Sequence, residues 1–120
     1  MLLGFCRKNR GGSLGVNSVK IGFIGFGEVA SVMAKAFREK NVDIVAYDIL
    51  LQKEDGEKIL RKRAGGEGVR FLPFNEVVIY SDYILSTVMT QVAKDVAQES
   101  VHYLKPGQVY VDLNSTAPSI

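Results

Sequence analysis

Cysteine and histidine are nearly absent from this sequence: each occurs once in 120 residues. A lone thiol at Cys6 makes no internal disulfide, so the chain is expected to hold itself together by burial alone, in a reducing, cytoplasmic compartment. His102 falls at the end of an expected helix and reads as a surface group or a partner for the helix dipole, not as a catalyst. No metal site is expected. No apolar stretch approaches the length of a membrane span, which argues against a membrane partner. Neither sign of charge dominates, and a net charge of +2 is too small to suggest nucleic acid. No internal repeat is present.

What is present divides unequally. Residues 1–18, MLLGFCRKNRGGSLGVNS, contain Arg7, Lys8 and Arg10 but no acid, and read as a flexible basic leader. Its apolar start is too short for a secretory signal and precedes its charges instead of following them. Residues 19–120 have the apolar content of one globular domain, within an overall apolar fraction of 47%.

Along that domain the hydrophobic period alternates. Val19 to Ile24 is a continuous apolar run, as a strand buried on both faces would be. From Glu28 the period becomes helical, with Val29, Val32, Met33, Ala36 and Phe37 as the expected inward stripe, ending near Asn41. Asp43 to Tyr47 reads as a second strand. Gln52 to Arg63 reads as an exposed helix with Leu51, Ile59 and Leu60 inward, stopped by Gly65 and Gly66. Val69 to Leu72 is a third strand, Asn75 is expected to cap a short helix through Tyr80, and Tyr83 to Val88 is a fourth strand. Gln91 to Leu104 carries Ala93, Val96, Ala97 and Leu104 on one helical stripe, and the Pro106-Gly107 turn leads to a fifth strand, Val109 to Leu113. Such alternation predicts an α/β fold, a Rossmann-type doubly wound parallel sheet of about five strands.

The chemistry concentrates in Gly25-Phe26-Gly27-Glu28-Val29-Ala30, a G-x-G-x-x-A sequence between strand and helix. Gly25 suits the tight turn, Gly27 lets a pyrophosphate approach the backbone, and Ala30 lets the helix pack close on the first strand. The helix N-terminus offers unpaired N–H groups and partial positive charge to phosphates. Glu28 also suits that dipole, with its side chain expected to point away. Asp48, at the end of the second strand, is placed to accept both ribose hydroxyls of an adenosine and to repel a 2′-phosphate. No arginine follows among Ile49 and Leu50, so NAD is expected in preference to NADP, with Lys53 tempering that preference. The plainer alternatives are a turn that binds nothing and a solvated strand-end aspartate. A P-loop is disfavoured because no G-K-[ST] follows, and Gly22, inside the strand, reads as a packing residue.

With these residues in view, the chain resembles the cofactor domain of the β-hydroxyacid dehydrogenase family, which includes 3-hydroxyisobutyrate and 6-phosphogluconate dehydrogenases. The resemblance is carried by IGFIGFGEVA, by the loop Ser86-Thr87-Val88-Met89-Thr90-Gln91 and by Asp112-Leu113-Asn114-Ser115-Thr116-Ala117-Pro118. It implies hydride transfer between a nicotinamide and a small hydroxy acid, with Val88 and Met89 along the nicotinamide and Asn114, Ser115 and Thr116 bordering nicotinamide and substrate. Pro118 departs from the commoner spacing by one residue, and an ordinary helix cap is the other reading of the Asn-Ser-Thr run. The proton-handling lysine of that family has no counterpart among Lys35, Lys94 and Lys105, so the catalytic residues stay unknown. No candidate for a sixth strand or for the helical second domain is seen, and the expectation is a truncated cofactor domain that meets its small-molecule substrate only when completed. Two other readings stay open: a non-catalytic NAD(H)-binding module and a pyrroline-5-carboxylate reductase-like enzyme, against which the DLNSTAP segment argues. A methyltransferase reading is weaker, since no second signature of one accompanies the turn.

Overall fold

The computed structural model describes residues 18–38, 40–65 and 68–113. Nearly all of the leader, Gly66 and the Asn114-Ser115-Thr116 run lie outside them. The elements follow in the order β1 (Val19–Ile24), α1 (Glu28–Arg38), β2 (Val42–Tyr47), α2 (Gly56–Ala64), β3 (Val69–Phe71), α3 (Phe74–Tyr80), β4 (Tyr83–Ser86), α4 (Thr90–Val101) and β5 (Val109–Asp112). All strand pairs are parallel and the sheet order is β3-β2-β1-β4-β5. The expected five-stranded doubly wound α/β architecture is what is observed. Among the described residues no helix is long and apolar enough to cross a membrane.

Alternation along the strands divides the core in two. Ile21 and Phe23 of β1 face a cluster with Ala30 and Ala34 of α1 and Leu60 and Ala64 of α2. Ile24, Val45 and Ile84 face the other way, onto Val77 and Val78 of α3, with Val96 of α4 against them. Phe23 and Phe26 are fully buried, with ring centroids 5.9 Å apart edge to face, and Phe71 meets Phe26 in the same manner at 5.4 Å. Each buried ring is worth roughly 1.5–3 kcal/mol of transfer free energy.

Three local expectations are corrected. In α1 the buried stripe is Ala30 and Ala34 with Met33 and Phe37 beside them, whereas Val29 and Val32 are 58% and 61% exposed and Ala36 is exposed. Small residues face the sheet because the helix lies close upon it. The second helix begins at Gly56 instead of Gln52: Ile49–Gln52 forms a 3-10 turn, with Asp48 as its cap. A Cβ on Gly56 would stand 1.6 Å from the Leu50 carbonyl oxygen, so the turn and the helix can meet only at a glycine. Leu60 is buried as expected, but Ile59 is 44% exposed. Pro73, not Asn75, occupies the cap position of α3, and Asn75 is exposed within the helix.

Gly22 is a packing residue, as expected: an added Cβ would meet Ser81 Oγ at 2.1 Å and Val77 Cγ1 at 2.7 Å. At the amino ends of the strands, Tyr80 donates a short hydrogen bond to Asp43, Arg70 pairs with the same carboxylate at 3.2 Å, and the Arg70 guanidinium lies 5.1 Å from the Tyr80 ring centroid. Burial, then the hydrogen bond and charge of Asp43, push the Tyr80 hydroxyl above its usual range, with Arg70 pulling the other way.

Candidate functional site

The sheet order reverses between β1 and β4, and ligands of open α/β sheets bind beyond the carboxyl ends of strands at such a point. The turn after β1 lies there, and its backbone is held on several sides. Gly25 N–H donates to the Tyr47 carbonyl at 2.7 Å, and Gly25 C=O accepts from Thr87 Oγ1 at 2.7 Å. Phe26 N–H donates to Asp48 Oδ2 at 2.8 Å, while Phe26 C=O accepts from Arg63 Nη1 at 3.0 Å. Three elements beyond β1 therefore fix one turn, and its geometry is set before any ligand arrives.

Gly25 has φ +91°, and a Cβ there would press on Val88 Cγ1 at 3.0 Å. The chain itself requires that glycine. Gly27 differs: its φ is not positive, and an added Cβ would meet nothing within 4 Å among the described residues. Gly27 C=O accepts the first helical bond, from Ser31 N–H at 3.0 Å, so Gly27 stands at the cap of α1. The first-turn amides of a helix have no partner within the helix itself.

Asp48 is half-buried and already employed: its second carboxylate oxygen, Oδ1, accepts from Leu50 N–H at 2.9 Å. It thus joins the glycine turn to the start of the 3-10 turn. Each carboxylate oxygen accepts more than one hydrogen bond, so capacity for a ligand hydroxyl remains. This structural duty was hidden in the sequence, as were the contacts of Arg63 and Thr87. Thr87 at least carried a signal, a hydroxyl directly after a strand bound for the switch point; Arg63 carried none.

A cavity of about 740 Å³ opens above the turn. Gly25, Phe26, Gly27, Asp48, Val88 and Met89 all line it. Tyr47, Ile49 and Phe74 form one wall, and Val92, Asp95, Val96 and Glu99 of α4 form another. Phe26 takes part through its backbone, since its side chain is in the core. Glu28 and Val29 are exposed and not among the lining residues. Among the described residues every charged group on the lining is an acid: Asp48, Asp95 and Glu99.

The profile of the family described as NADP oxidoreductase, coenzyme F420-dependent, matches residues 20–116. An uncharacterised 28.5 kDa protein of Methanothermus fervidus, from the 7S RNA 5′ region, is 35% identical over 101 residues, which is 83% of this chain and 37% of that protein. The crystal structure of a conserved hypothetical protein from Sinorhizobium meliloti superposes with a TM-score of 0.75 at 33% identity, covering 85% of this chain and 34% of that one. A 3-hydroxyisobutyrate dehydrogenase of Mycobacterium tuberculosis shares the fold, with a TM-score of 0.63 at 16% identity over 82% of this chain and 32% of its own. The chain thus spans about a third of the length of these relatives.

Proposed function

This chain belongs to the NADP oxidoreductase, coenzyme F420-dependent family, and we propose that it is the dinucleotide-holding part of an oxidoreductase that takes NAD in preference to NADP. The observation that carries this reading is Gly27. Among the described residues nothing occupies the space where its side chain would be, so the demand for glycine is read as coming from a ligand approaching the backbone. The amides around Gly27 and the first turn of α1, where Glu28 and Val29 stand, take the pyrophosphate by hydrogen bonding and by the helix dipole. Asp48 accepts from the adenosine ribose while keeping its bonds to Phe26 and Leu50.

Although the family is described by NADP, the lining of this cavity argues for NAD. Among the described residues three carboxylates and no lysine or arginine face it, which repels a 2′-phosphate. Val88 and Met89 lie beside the turn and fit the nicotinamide side of the cofactor. When bound, the cofactor supplies hydride exchange with a substrate carbon. By resemblance, Asn114, Ser115 and Thr116 border that substrate, a small hydroxy acid or a related compound of the β-hydroxyacid dehydrogenase type.

Calorimetric titration with NADH and NADPH tests the cofactor assignment. The chain is expected to bind NADH at least about tenfold more tightly, with Asp48→Asn narrowing the ratio. Equal or tighter binding of NADPH would overturn the preference for NAD.

A further inference from the structure

The dinucleotide reading accounts for the amides of the glycine turn but not for a cation placed behind them. Arg63 lies in the last turn of α2, 37 residues along the chain from Phe26, and its Nη1 donates to the Phe26 carbonyl at 3.0 Å. No carboxylate pairs with its guanidinium among the described residues. Docking of α2 does not need this contact. Leu60 and Ala64 already bury that helix in the core, and an exposed side chain such as Arg63 adds little to such packing.

What the contact fixes is a peptide plane. The Phe26 carbonyl and the Gly27 N–H are the two ends of one planar trans peptide, so they point in opposite directions. With the carbonyl turned to Arg63, the Gly27 N–H is turned away from it, and that N–H meets no acceptor among the described residues. The preceding peptide is held as well, by Asp48 Oδ2 on the Phe26 N–H at 2.8 Å. A carboxylate and a guanidinium thus bracket Phe26 from its two ends. Turning the Phe26–Gly27 peptide over would present a carbonyl oxygen in place of an N–H, and that oxygen would repel a phosphate. The guanidinium opposes this through a charge-assisted hydrogen bond. Its charge also offsets that of Asp48, whose carboxylate otherwise opposes an anion at the turn.

We propose that Arg63 is a positioning residue for phosphate recognition: it sets the Phe26–Gly27 peptide so that the Gly27 N–H donates to the cofactor's pyrophosphate, and its charge balances Asp48. The inference rests on the dinucleotide reading above and adds a residue, far outside the glycine pattern, on which phosphate affinity depends. Arg63 is not among the residues that line the cavity, so it acts through the peptide and not by touching the ligand.

Amide chemical-shift titrations of the full chain with ADP and with adenosine, for the parent, Arg63→Met and Arg63→Lys, separate recognition of phosphate from recognition of the nucleoside. Arg63→Met is expected to weaken ADP binding at least about fivefold and to leave adenosine within about twofold of the parent. The contact is a single hydrogen bond, so Arg63→Lys, which keeps the charge and a donor, is expected to bring ADP back to within about twofold. Arg63 is exposed, and thermal melts of both variants are expected to stay close to that of the parent. Unchanged ADP affinity in Arg63→Met, equal losses of ADP and adenosine, or a loss that lysine does not relieve overturns the role of Arg63 and leaves the dinucleotide reading standing. Absence of both ADP and NADH binding by the parent removes both.

Discussion

At Gly25 the demand for glycine is internal: the backbone is left-handed, and Val88 and Thr87 crowd the place of a side chain. Gly25→Ala is expected to cost about 1–3 kcal/mol of stability, read from denaturant unfolding. Gly27→Ala should cost less than about 1 kcal/mol, through the weaker cap alone, yet lower NADH affinity at least about tenfold. If the two variants proved equally destabilised, the distinction between the two glycines would fail. The sequence made the spacing of these glycines legible but not which demand each one meets. Asp48 shows the same limit, because its bonds to Phe26 and Leu50 depend on how the strand ends meet. Periodicity cannot report contacts of that kind. For the same reason Phe26, inside a phosphate-binding pattern, gave no sign that its ring belongs to the core.

Elements were recoverable wherever the hydrophobic period was long, and their edges moved where packing overrode it. Val29 and Val32 are apolar and correctly spaced, but the side of α1 that meets the sheet is the side with Ala30 and Ala34. A binary pattern does not rank alanine against valine; close approach of helix to strand does. The start of α2 was displaced for a related reason, since only Gly56 tolerates the Leu50 carbonyl. Elsewhere, β2, β3 and α3 are tied by Asp43, Arg70 and Tyr80. Because the hydroxyl of Tyr80 is held above its unfolded value, its contribution to stability is complete below about pH 10 and is lost as pH rises through the folded value. Tyr80→Phe is expected to cost about 1 kcal/mol at pH 7, a modest figure because the pair is partly solvated. That deficit should shrink above pH 10 in urea unfolding measured from pH 8 to 11. A constant gap across that range would contradict the role of this hydrogen bond.

For the molecule as a whole, the sheet order brings three distant stretches of chain to one cavity: the turn after β1, the end of β2 and the loop after β4. That convergence was legible in outline, because alternating strands and helices admit few topologies once crossovers are right-handed. The acids of α4 were not, since charged positions on a helix look alike until the helix is docked. The central claim is that a phosphate-bearing ligand occupies the space in front of Gly27. Its most direct test pairs a thermal melt with NADH calorimetry on Gly27→Asp, because aspartate is among the best helix caps and also puts a negative charge where the pyrophosphate would lie. The account predicts a melting temperature equal to or above that of the parent together with loss of NADH binding. A folded Gly27→Asp chain that binds NADH as the parent does would contradict it.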